Sequence, residues 1–486
     1  MDTQVTRRDF IKTAGIATGV AIAAGYSPFS YAQNEVVRVA AIGTGGQGCL
    51  HLRLGLPKIK TLQLVAVCDV YTPNLNGGWD IAVEDADPKK KEEKQKNIKK
   101  YMDYREMLEK EQFEAVIIST PLHTHYQIAM DCLDAKKYVF CEKTMCYDVE
   151  QCRNLVKKCN ETGLWVQVGH QRRYNPGYNR ALWLAREKGV VGRINHITAQ
   201  WHRNNDWRRP VDPAYVLSAD EKKWIPDLEK HINWRLYNEF SAGGLMTELA
   251  THQLDVCNWF LHTPPSRVFG YGGIDYWRDG RDVYDNVSLT YEYDMVPSNP
   301  AFGTMDKRTS FLSMQTMNRP YTVRATYTSI CANAKRGSSE IMQGDKGTLE
   351  LTEPACFGYT EPAAVGAWDA GGIVTAASVA KDITSGKSLQ VSTAADESKE
   401  QLFMAETRHV DALQFESFAN DIFQKKVPKA NQMVGLLAAI VSLNGSKAMK
   451  DRTEVAIDKA QYTFDFETPD PYRYDNFPPA DIKWRG

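Results

Sequence analysis

Residues Val36–Gly48 read VVRVAAIGTGGQG, and this stretch decides the fold of the first part of the chain. The run Val36–Ile42 is short, β-branched and almost continuously apolar, as expected for a parallel strand buried on both faces. It leads into a Gly-x-Gly-x-x-Gly motif, and a helix is predicted from Cys49 onward. Strand, glycine turn and helix in this order let the backbone approach the diphosphate of a dinucleotide closely. The residues expected to bind such a cofactor are Gly43, Gly45, Gly46, Gln47 and Gly48.

A second apolar stretch, Leu62–Cys68, ends in Asp69, about 20 residues beyond the glycines. A carboxylate at this position accepts hydrogen bonds from the ribose hydroxyls and repels a 2′-phosphate. Asp69 therefore predicts NAD rather than NADP as the cofactor.

Further short apolar strands are predicted at Ala115–Pro121, Tyr138–Lys143 and Trp165–Gly169. Helical stretches lie between them, for example Thr124–Ala135 and Val149–Asn160. Alternation of strands and helices indicates an α/β fold with a doubly wound parallel sheet, the Rossmann arrangement.

The pattern changes after Gly169 to longer alternating runs, which are typical of a mostly antiparallel sheet with one covered face. These runs are Ile194–Arg203, Arg267–Trp277, Asn286–Tyr293, Thr322–Ser329 and Ile341–Leu351. Apolar residues at helical spacing predict a long helical region at Ala412–Met449, and two segments are interpreted as insertions, Met295–Pro320 and Glu361–Leu389. We therefore expect a second α/β domain with a large, open, mostly antiparallel sheet.

Six of the 11 tryptophans lie between Trp201 and Trp277. Aromatic rings beside polar side chains suit the walls of a sugar site, and they suit a core or a subunit interface equally well. Both interpretations stay open at this point.

The charge balance excludes two classes of partner. Lysine and arginine number 59 against 60 acidic residues, so no global field attracts nucleic acid or an anionic membrane. No apolar run reaches the roughly 18–20 residues of a membrane-spanning helix. None of the 10 cysteines forms a CxxC pair, and no metal site is predicted.

The N-terminus carries an export pattern. Thr6–Lys12 reads TRRDFIK, a twin-arginine motif, and a mildly apolar stretch and a small-x-small cleavage motif at Ser30–Ala32 follow it. We predict that residues 1–32 are a signal peptide, read by the twin-arginine (Tat) machinery, and that the protein is periplasmic. Such proteins fold in the reducing cytoplasm, so free thiols are expected rather than disulfides.

Taken together, the motifs resemble those of the Gfo/Idh/MocA oxidoreductase family. Besides the glycine motif they are Ser119–Pro121 with His123 and His125, Cys141–Thr144, and Gly243–Asp255. The resemblance extends from about Val36 to about Lys459. It implies a Rossmann domain at residues 33–168 and a substrate-binding and oligomerisation domain at residues 169–486, in a homodimer or homotetramer. It also implies a sugar or related polyol as the small-molecule substrate.

The resemblance also implies three catalytic residues. The family's Glu-Lys-Pro motif, whose lysine lies beside the nicotinamide, reads Glu142-Lys143-Thr144 here. Its Asp-x-x-x-His motif reads Glu248 and His252, which share one helical face. In such a site His252 takes the hydroxyl proton, Lys143 stabilises the developing alkoxide and Glu248 orients the imidazole or a substrate hydroxyl.

Further contacts follow from the same resemblance. Cofactor contacts are expected from Thr120, Pro121, His123, His125, Glu142 and Lys143. Substrate contacts are expected from Lys143, Arg172, Tyr174, His252 and Asp255. For Arg172 and Tyr174 a domain-linking role is the alternative.

Three functions remain open. An exported NAD enzyme has to keep and reset its cofactor, because free NAD is scarce outside the cytoplasm. The first function is oxidation of a sugar or glycoside ring hydroxyl with a cofactor recycled in place. The second is glycoside cleavage by transient oxidation and elimination, for which Tyr174, Tyr237 and His202 are candidate acids. The third is sugar binding without catalysis.

Overall fold

The structure of the protein, a computed structural model, describes residues 36–303, 318–360, 400–404 and 409–475. The predicted signal peptide, residues 1–32, lies outside the described residues. So do the predicted insertion at Glu361–Leu389 and the middle of the one at Met295–Pro320. The described chain forms two β-sheets with helices packed against them.

The first sheet confirms the predicted doubly wound arrangement. Its six strands are all parallel, in the order β3-β2-β1-β4-β5-β6. The strands are β1 (Val37–Ile42), β2 (Leu62–Cys68), β3 (Lys99–Tyr101), β4 (Ala115–Ile118), β5 (Tyr138–Cys141) and β6 (Val166–Val168). The strand order reverses between β1 and β4, and ligands of such sheets bind at that switch point.

Strand β1 shows why this stretch is apolar at nearly every position. Ala40 and Ile42 belong to the apolar cluster on one face of the sheet. Val37, Val39 and Ala41 belong to the cluster on the other face. Because helices cover both faces, neither set of side chains meets water.

Six helices accompany the first sheet. They are α1 (Gly46–Leu50), α2 (Thr72–Val83), α3 (Pro88–Asn97), α4 (Tyr104–Lys110), α5 (His125–Asp134) and α6 (Val149–Thr162). A π-helical turn, His51–Gly55, continues α1. Local sequence sets the ends of α6, since the Asp148 side chain accepts a hydrogen bond from the Gln151 amide and Gly163 ends the helix at φ +69°.

The second sheet is large and mostly antiparallel, as predicted. Its nine described strands follow the order β14-β13-β12-β11-β7-β10-β9-β8-β15, and of their pairings only β7 with β10 is parallel. The strands are β7 (Ile194–His202), β8 (Arg267–Gly273), β9 (Asn286–Met295), β10 (Tyr321–Ile330), β11 (Ser338–Gly344), β12 (Gly347–Leu351), β13 (Ala355–Thr360), β14 (Glu400–Met404) and β15 (Val455–Ala456). The Gly-Asp-Lys-Gly turn that the sequence indicates within the run Ile341–Leu351 joins β11 to β12.

Six further described helices lie beyond residue 169, and those at residues 176–187, 251–261 and 432–451 pack on the second sheet. The six helices are α7 (Pro176–Glu187), α8 (Leu228–Ile232), α9 (Asn238–Ser241), α10 (Thr251–Leu261), α11 (Val410–Gln424) and α12 (Gln432–Asp451). A π-helical turn, Met246–Ala250, runs directly into α10. Along β9 every second residue is buried, for example Leu289, Tyr291 and Tyr293, so the alternating pattern faces this helical layer.

The predicted helical region at Ala412–Met449 consists of two helices, α11 and α12. Lys425 has a left-handed conformation with φ +50°, and Pro428 cannot continue a helix. Asn431 then starts α12, because its side chain accepts hydrogen bonds from the Met433 and Val434 amides.

These two helices lie beyond the predicted domain boundary at residue 169, yet they pack on the first sheet. The ring of Phe418 on α11 lies edge-on to Trp165, with 5.6 Å between ring centroids. Helix α12 contributes Leu436 to the core of the first sheet and Val441 to the core of the second. Residues from the end of the chain therefore complete the first domain.

The thiols match the expectation of a chain that folds without disulfides, because all 10 cysteines are free. Among the described helices, none combines the length and apolar character needed to cross a bilayer. In the same residues no group of three or more His, Cys, Asp and Glu side chains is arranged to hold a metal ion.

The packing of α11 gives a first prediction. Phe418→Ala removes a fully buried ring between the sheet and the helix, and we expect a loss of about 3–5 kcal/mol in the free energy of unfolding. Urea unfolding followed by circular dichroism measures this loss. Val216→Ala, at a side chain that is 79% exposed, is the matched control. Equal unfolding midpoints for the two variants would contradict the packing role of α11.

Candidate active site

A cavity of about 650 Å³ opens at the carboxyl ends of β1, β2 and β4. The first domain lines it with the glycine loop, Asp69 and the loop after β4. The second domain lines the opposite side with Arg209, His231, Trp234 and Arg235. The cavity therefore lies between the two domains, at the switch point of the first sheet.

The glycine loop has room only for glycine at two positions. Gly43 has φ +90°, and a methyl group there would lie 2.6 Å from the Ser119 carbonyl carbon. A methyl group on Gly48 would lie 2.0 Å from the Gly43 oxygen, so this residue allows the helix to pack on the strand. Gly45, Gly46 and Gln47 line the cavity. This backbone cradle fits the diphosphate of a dinucleotide.

Asp69 is buried at the carboxyl end of β2 and lines the same cavity. Its Oδ2 atom accepts a hydrogen bond from the Thr44 amide at 2.8 Å, and its Oδ1 atom accepts one from the Tyr71 amide at 2.9 Å. Burial raises the pKa of Asp69, and these hydrogen bonds oppose the shift. The Thr44 hydroxyl also lies 3.3 Å from Oδ2, so the second lone pair of Oδ1 is the one that fits a hydrogen bond from a ribose hydroxyl.

The loop after β4 places Thr120, Pro121 and His123 on the wall of the cavity. The His123 ring packs against Phe240 of the second domain, with 4.8 Å between ring centroids. Burial lowers the pKa of His123 to about 4, so the ring is neutral at pH 7. The predicted cofactor contacts of this loop are therefore brought to one edge of the cleft.

His125 has a different place from the other predicted cofactor residues. Its ring nitrogens lie 2.9 Å from the Thr120 oxygen and 3.0 Å from the Thr144 oxygen. Both nitrogens are thus engaged by backbone carbonyls, and none is left for a nucleotide. The side chain instead joins the loop after β4 to the loop that carries Lys143.

Glu142 is also held within the protein. Its Oε1 atom lies 2.8 Å from Nε2 of His51, and its Oε2 atom accepts a hydrogen bond from the Lys143 amide at 3.1 Å. On the other side of the His51 ring, Nδ1 lies 3.4 Å from Asp411 on α11. Burial lowers the pKa of His51, but the two carboxylates outweigh it and raise the pKa to about 9. A protonated His51 therefore ties the Lys143 loop to the glycine-loop helix and to α11.

Lys143 and Glu248 meet across the domain boundary. The Lys143 Nζ atom donates a hydrogen bond to the Glu248 main-chain oxygen at 3.0 Å and lies 3.7 Å from its carboxylate. The same carboxylate accepts a hydrogen bond from Nε of Arg235 at 2.6 Å. Burial alone would raise the pKa of Glu248, but Lys143 and Arg235 hold it below the ordinary value. Glu248 is therefore an anion that holds the Lys143 and Arg235 side chains in position.

His252 lies one helical turn beyond Glu248 and is buried. Its Nδ1 atom has no hydrogen-bond partner in the described part of the chain. Burial, Lys143 and Arg172 lower the pKa of His252 well below 6.5, so the imidazole is neutral at pH 7. The rings of Trp201 and His170 lie beside it, at 5.7 Å and 5.8 Å between centroids. A neutral imidazole next to a lysine ammonium is the arrangement that a general base requires.

Three of the residues that were predicted to contact the substrate form hydrogen bonds or ion pairs within the protein. Arg172 is buried and pairs with Glu340 at 2.7 Å, a distance between Nη1 and Oε1. The Tyr174 hydroxyl accepts a hydrogen bond from the Ala430 amide at 3.2 Å. Both partners lie beyond residue 169, and for Arg172 and Tyr174 substrate contact and domain linkage stay predictions.

Asp255 forms a bidentate pair with Arg173. Its two oxygens accept hydrogen bonds from Nε at 2.8 Å and from Nη2 at 2.7 Å. Both side chains are buried. Asp255 therefore supports the floor of the site, beside His170, whose Nδ1 atom lies 3.8 Å away.

The sequence did not predict four residues of the site. His51, Arg209, Arg235 and Asp411 come from segments that carry none of the quoted motifs. Arg235 lies 13 residues before Glu248 along the chain, and no local spacing links the two. Only the folded arrangement of the second domain brings Arg209 and Arg235 to the cleft.

Comparison with known proteins agrees with this architecture. The model described as oxidoreductase family, NAD-binding Rossmann fold, matches residues 37–170. The model described as the GFO/IDH/MocA C-terminal domain matches residues 180–305. The first domain is accordingly an NAD-binding domain, as the glycine loop and Asp69 predict.

Individual relatives match a smaller part. An inositol 2-dehydrogenase from Salmonella paratyphi B is 29% identical over 46% of this chain and 55% of its own length. A glycosyl hydrolase family 109 protein from Shewanella baltica is 26% identical over 42% of this chain and 47% of its own length. The chain thus spans about half the length of the curated relatives it matches.

A solved structure extends the likeness of fold to most of the chain. The WlbA dehydrogenase from Bordetella pertussis, in complex with NADH and UDP-GlcNAcA, superposes with a TM-score of 0.56 at 16% identity. The match covers 87% of this chain and 99% of that structure. Since the two family models together match more than half of its residues, the chain belongs to the Gfo/Idh/MocA oxidoreductase family.

Proposed function

We propose that the protein is a periplasmic, NAD-dependent oxidoreductase that acts on a ring hydroxyl of a sugar or glycoside and keeps its cofactor bound. The single observation that carries the proposal is the convergence of Lys143, Glu248 and His252. These three residues lie behind the cavity wall, and Arg235, which lines the cavity, joins them to it through its hydrogen bond to Glu248. The inositol dehydrogenase relative supports a polyol-type substrate.

The chemistry divides between the cofactor and the chain. NAD, when bound, accepts the hydride from the carbinol carbon. Neutral His252 takes the hydroxyl proton, because its lowered pKa keeps it unprotonated at pH 7. The Lys143 ammonium stabilises the negative charge that develops on the same oxygen. The Glu248 oxygens hold Lys143 in place, so the cation does not have to reorganise during the reaction.

Aromatic side chains support a sugar as the substrate. Trp234 lines the cavity, and Trp201 lies beside His252. The flat faces of these rings suit the C–H faces of a pyranose or inositol, while Arg235 and Lys143 offer donors to its hydroxyls. Trp259, in contrast, is fully buried in the core.

Export is proposed from the sequence alone. The twin-arginine motif at Thr6–Lys12 favours transport of a folded protein with its cofactor in place. Outside the cytoplasm the enzyme has no supply of free NAD, so the reduced cofactor has to be reoxidised in the site. A second carbonyl substrate or a reversal within one turnover serves this purpose.

Glycoside cleavage is the second candidate, and the family 109 glycosyl hydrolase relative favours it. Cleavage by elimination needs an acid for the leaving group. The three candidates from the sequence are engaged elsewhere: Tyr174 accepts from Ala430, Tyr237 donates to Glu229, and His202 lies between Lys335 and Thr328. This supports oxidation as the first choice. Sugar binding without catalysis is the third possibility, and the buried, neutral His252 beside Lys143 argues against it.

The choice of cofactor is tested at Asp69. In Asp69→Ser the negative charge beside the ribose is lost, so we expect weaker NAD binding and an NADP-to-NAD affinity ratio that rises about tenfold or more. Tryptophan fluorescence measures both affinities, because Trp224 and Trp234 line the cavity. Asp80→Ser, on the exposed side of α2, is the control. An unchanged ratio in Asp69→Ser would refute its role in selectivity.

The catalytic pair is tested by two isosteric substitutions. We expect His252→Gln and Lys143→Met each to lower kcat by on the order of 10²–10⁴-fold, with NAD binding retained. His196→Gln on β7 is the control, since among the described residues no hydrogen bond, ion pair or ring contact joins His196 to Lys143, Glu248 or His252. Wild-type kcat in both site variants would remove them from the mechanism.

The same residues predict a pH dependence. Protonation of His252 abolishes the base, and the lowered pKa places this acid limb of the kcat profile below pH 6.5. Lys143 is one of the cations that lower this pKa, so the residual activity of Lys143→Met should have its acid limb at higher pH. An acid limb that does not move would show that another group titrates.

A panel of free sugars and p-nitrophenyl glycosides decides between oxidation and cleavage. We expect absorbance of reduced nicotinamide near 340 nm without yellow p-nitrophenolate. Yellow colour without an added acceptor would instead assign the cleavage reaction. No change with any sugar, in protein that holds NAD, would support binding without catalysis.

A further inference from the structure

Residues 203–241, here called the strap, leave β7 and cross the cavity before the chain reaches the turn Met246–Ala250. The strap packs on the first domain through aromatic rings. Tyr71, just after Asp69, lies edge-on to Tyr215 at 5.2 Å and to His231 at 6.2 Å between centroids. Strap residues form the second-domain wall of the NAD cleft. A bound dinucleotide therefore lies between the first domain and the strap.

Glu221 fastens the strap to the first domain. This buried carboxylate accepts a hydrogen bond from the Thr72 amide at 2.9 Å, at the start of α2. It also accepts hydrogen bonds from the Tyr215 hydroxyl at 2.6 Å and from the Ser218 amide at 2.7 Å. Burial would raise the pKa of Glu221, but these donors lower it to about 2, so the side chain is an anion at neutral pH. The attachment requires a carboxylate, because donors approach both of its oxygens and a glutamine amide has only one accepting oxygen.

Arg209 extends from the strap to the glycine loop. Its backbone is fixed by Asn233, whose side chain accepts from the Arg209 amide at 2.7 Å and donates to the Arg209 oxygen at 3.1 Å. The Nη2 atom lies directly against Gly46, since a methyl group built there would be 2.3 Å from it. Gly46 and Arg209 both line the cavity. The guanidinium is thus held against the part of the loop that approaches a diphosphate.

The surroundings of Arg209 lack a compensating anion. Burial and the neighbouring Arg235 cation lower the pKa of Arg209, and only the Cys49 thiol acts in the opposite direction. No carboxylate of the described chain takes part in this balance. A guanidinium in such a position gains most from a ligand that carries negative charge and several acceptor oxygens.

We infer that Arg209 binds the diphosphate of NAD from the second domain, while Glu221 holds the strap in the position that this contact requires. The diphosphate then lies between the backbone of the glycine loop and the N–H donors of the planar Arg209 guanidinium. To leave the cleft, NAD has to break this ion pair and displace the strap. The inference rests on the proposed retention of NAD and gives it a structural cause.

The rate of NAD release tests this inference. Arg209→Ala, Arg209→Lys and wild type are loaded with NAD, passed through a desalting column, and chased while bound NAD is measured by fluorescence and by chromatography after denaturation. We expect wild type to retain NAD, Arg209→Ala to release it about tenfold faster or more, and Arg209→Lys to fall between them. Lys223→Ala is the control, because Lys223 is exposed on the same strap and pairs only with Asp220 among the described residues. Equal release from Arg209→Ala and Lys223→Ala would overturn the inference.

Ligand fragments locate the contact. ADP-ribose carries the diphosphate and adenosine does not, so Arg209→Ala should weaken ADP-ribose binding and leave adenosine binding unchanged. Equal weakening of both fragments would assign Arg209 to general support of the cleft and refute the diphosphate contact.

Glu221→Gln should speed NAD release without a loss of helix content by circular dichroism, and unchanged release would refute the attachment. A wild type that oxidises a sugar yet exchanges NAD freely would refute retention and leave the proposed reaction intact.

Discussion

The hydrogen bond from Lys143 to the Glu248 main-chain oxygen is the interaction on which the site depends, because it joins the two domains at the reacting centre. A second bond runs parallel to it, from the Thr144 hydroxyl to the Thr247 oxygen at 2.7 Å. Together they fix the loop after β5 against the turn that leads into α10. His252 and Lys143 come from different domains, and these two hydrogen bonds fix the position of one relative to the other.

Positively and negatively charged side chains alternate through the site. Glu248 lies between Lys143 and Arg235, and the neutral His252 lies next to this group. Deeper still, Asp255 balances Arg173 and Glu340 balances Arg172. The inner pairs are satisfied by protein partners and shape the floor, whereas the outer cations have donors left for a ligand. Burial of so many charges is tolerated because almost every one has a hydrogen-bonded counterpart.

Local sequence predicted the parts of this site that depend on short spacing. The glycine loop, Asp69, and the pair Glu248 and His252 each lie within one turn, one strand end or one helical stretch, so a few consecutive residues contain each motif. The roles of Arg172, Tyr174 and Asp255 could not be predicted in this way. Their partners lie 168, 256 and 82 residues away along the chain, and only tertiary packing selects them. The contacts of the strap, and those of His51 with Glu142 and Asp411, could not be predicted for the same reason.

The packing of helices α11 and α12 on the first sheet also affects the order of events during synthesis. The core of the first sheet contains Phe415, Phe418 and Leu436, so it cannot close until the chain has been synthesised beyond residue 436. The glycine loop is made first, yet its supporting helix reaches Asp411 only at the end. The nucleotide site thus matures late, and a truncated product lacks the packing to hold a dinucleotide. Maturation of the NAD cleft therefore waits for the synthesis of α11 and α12.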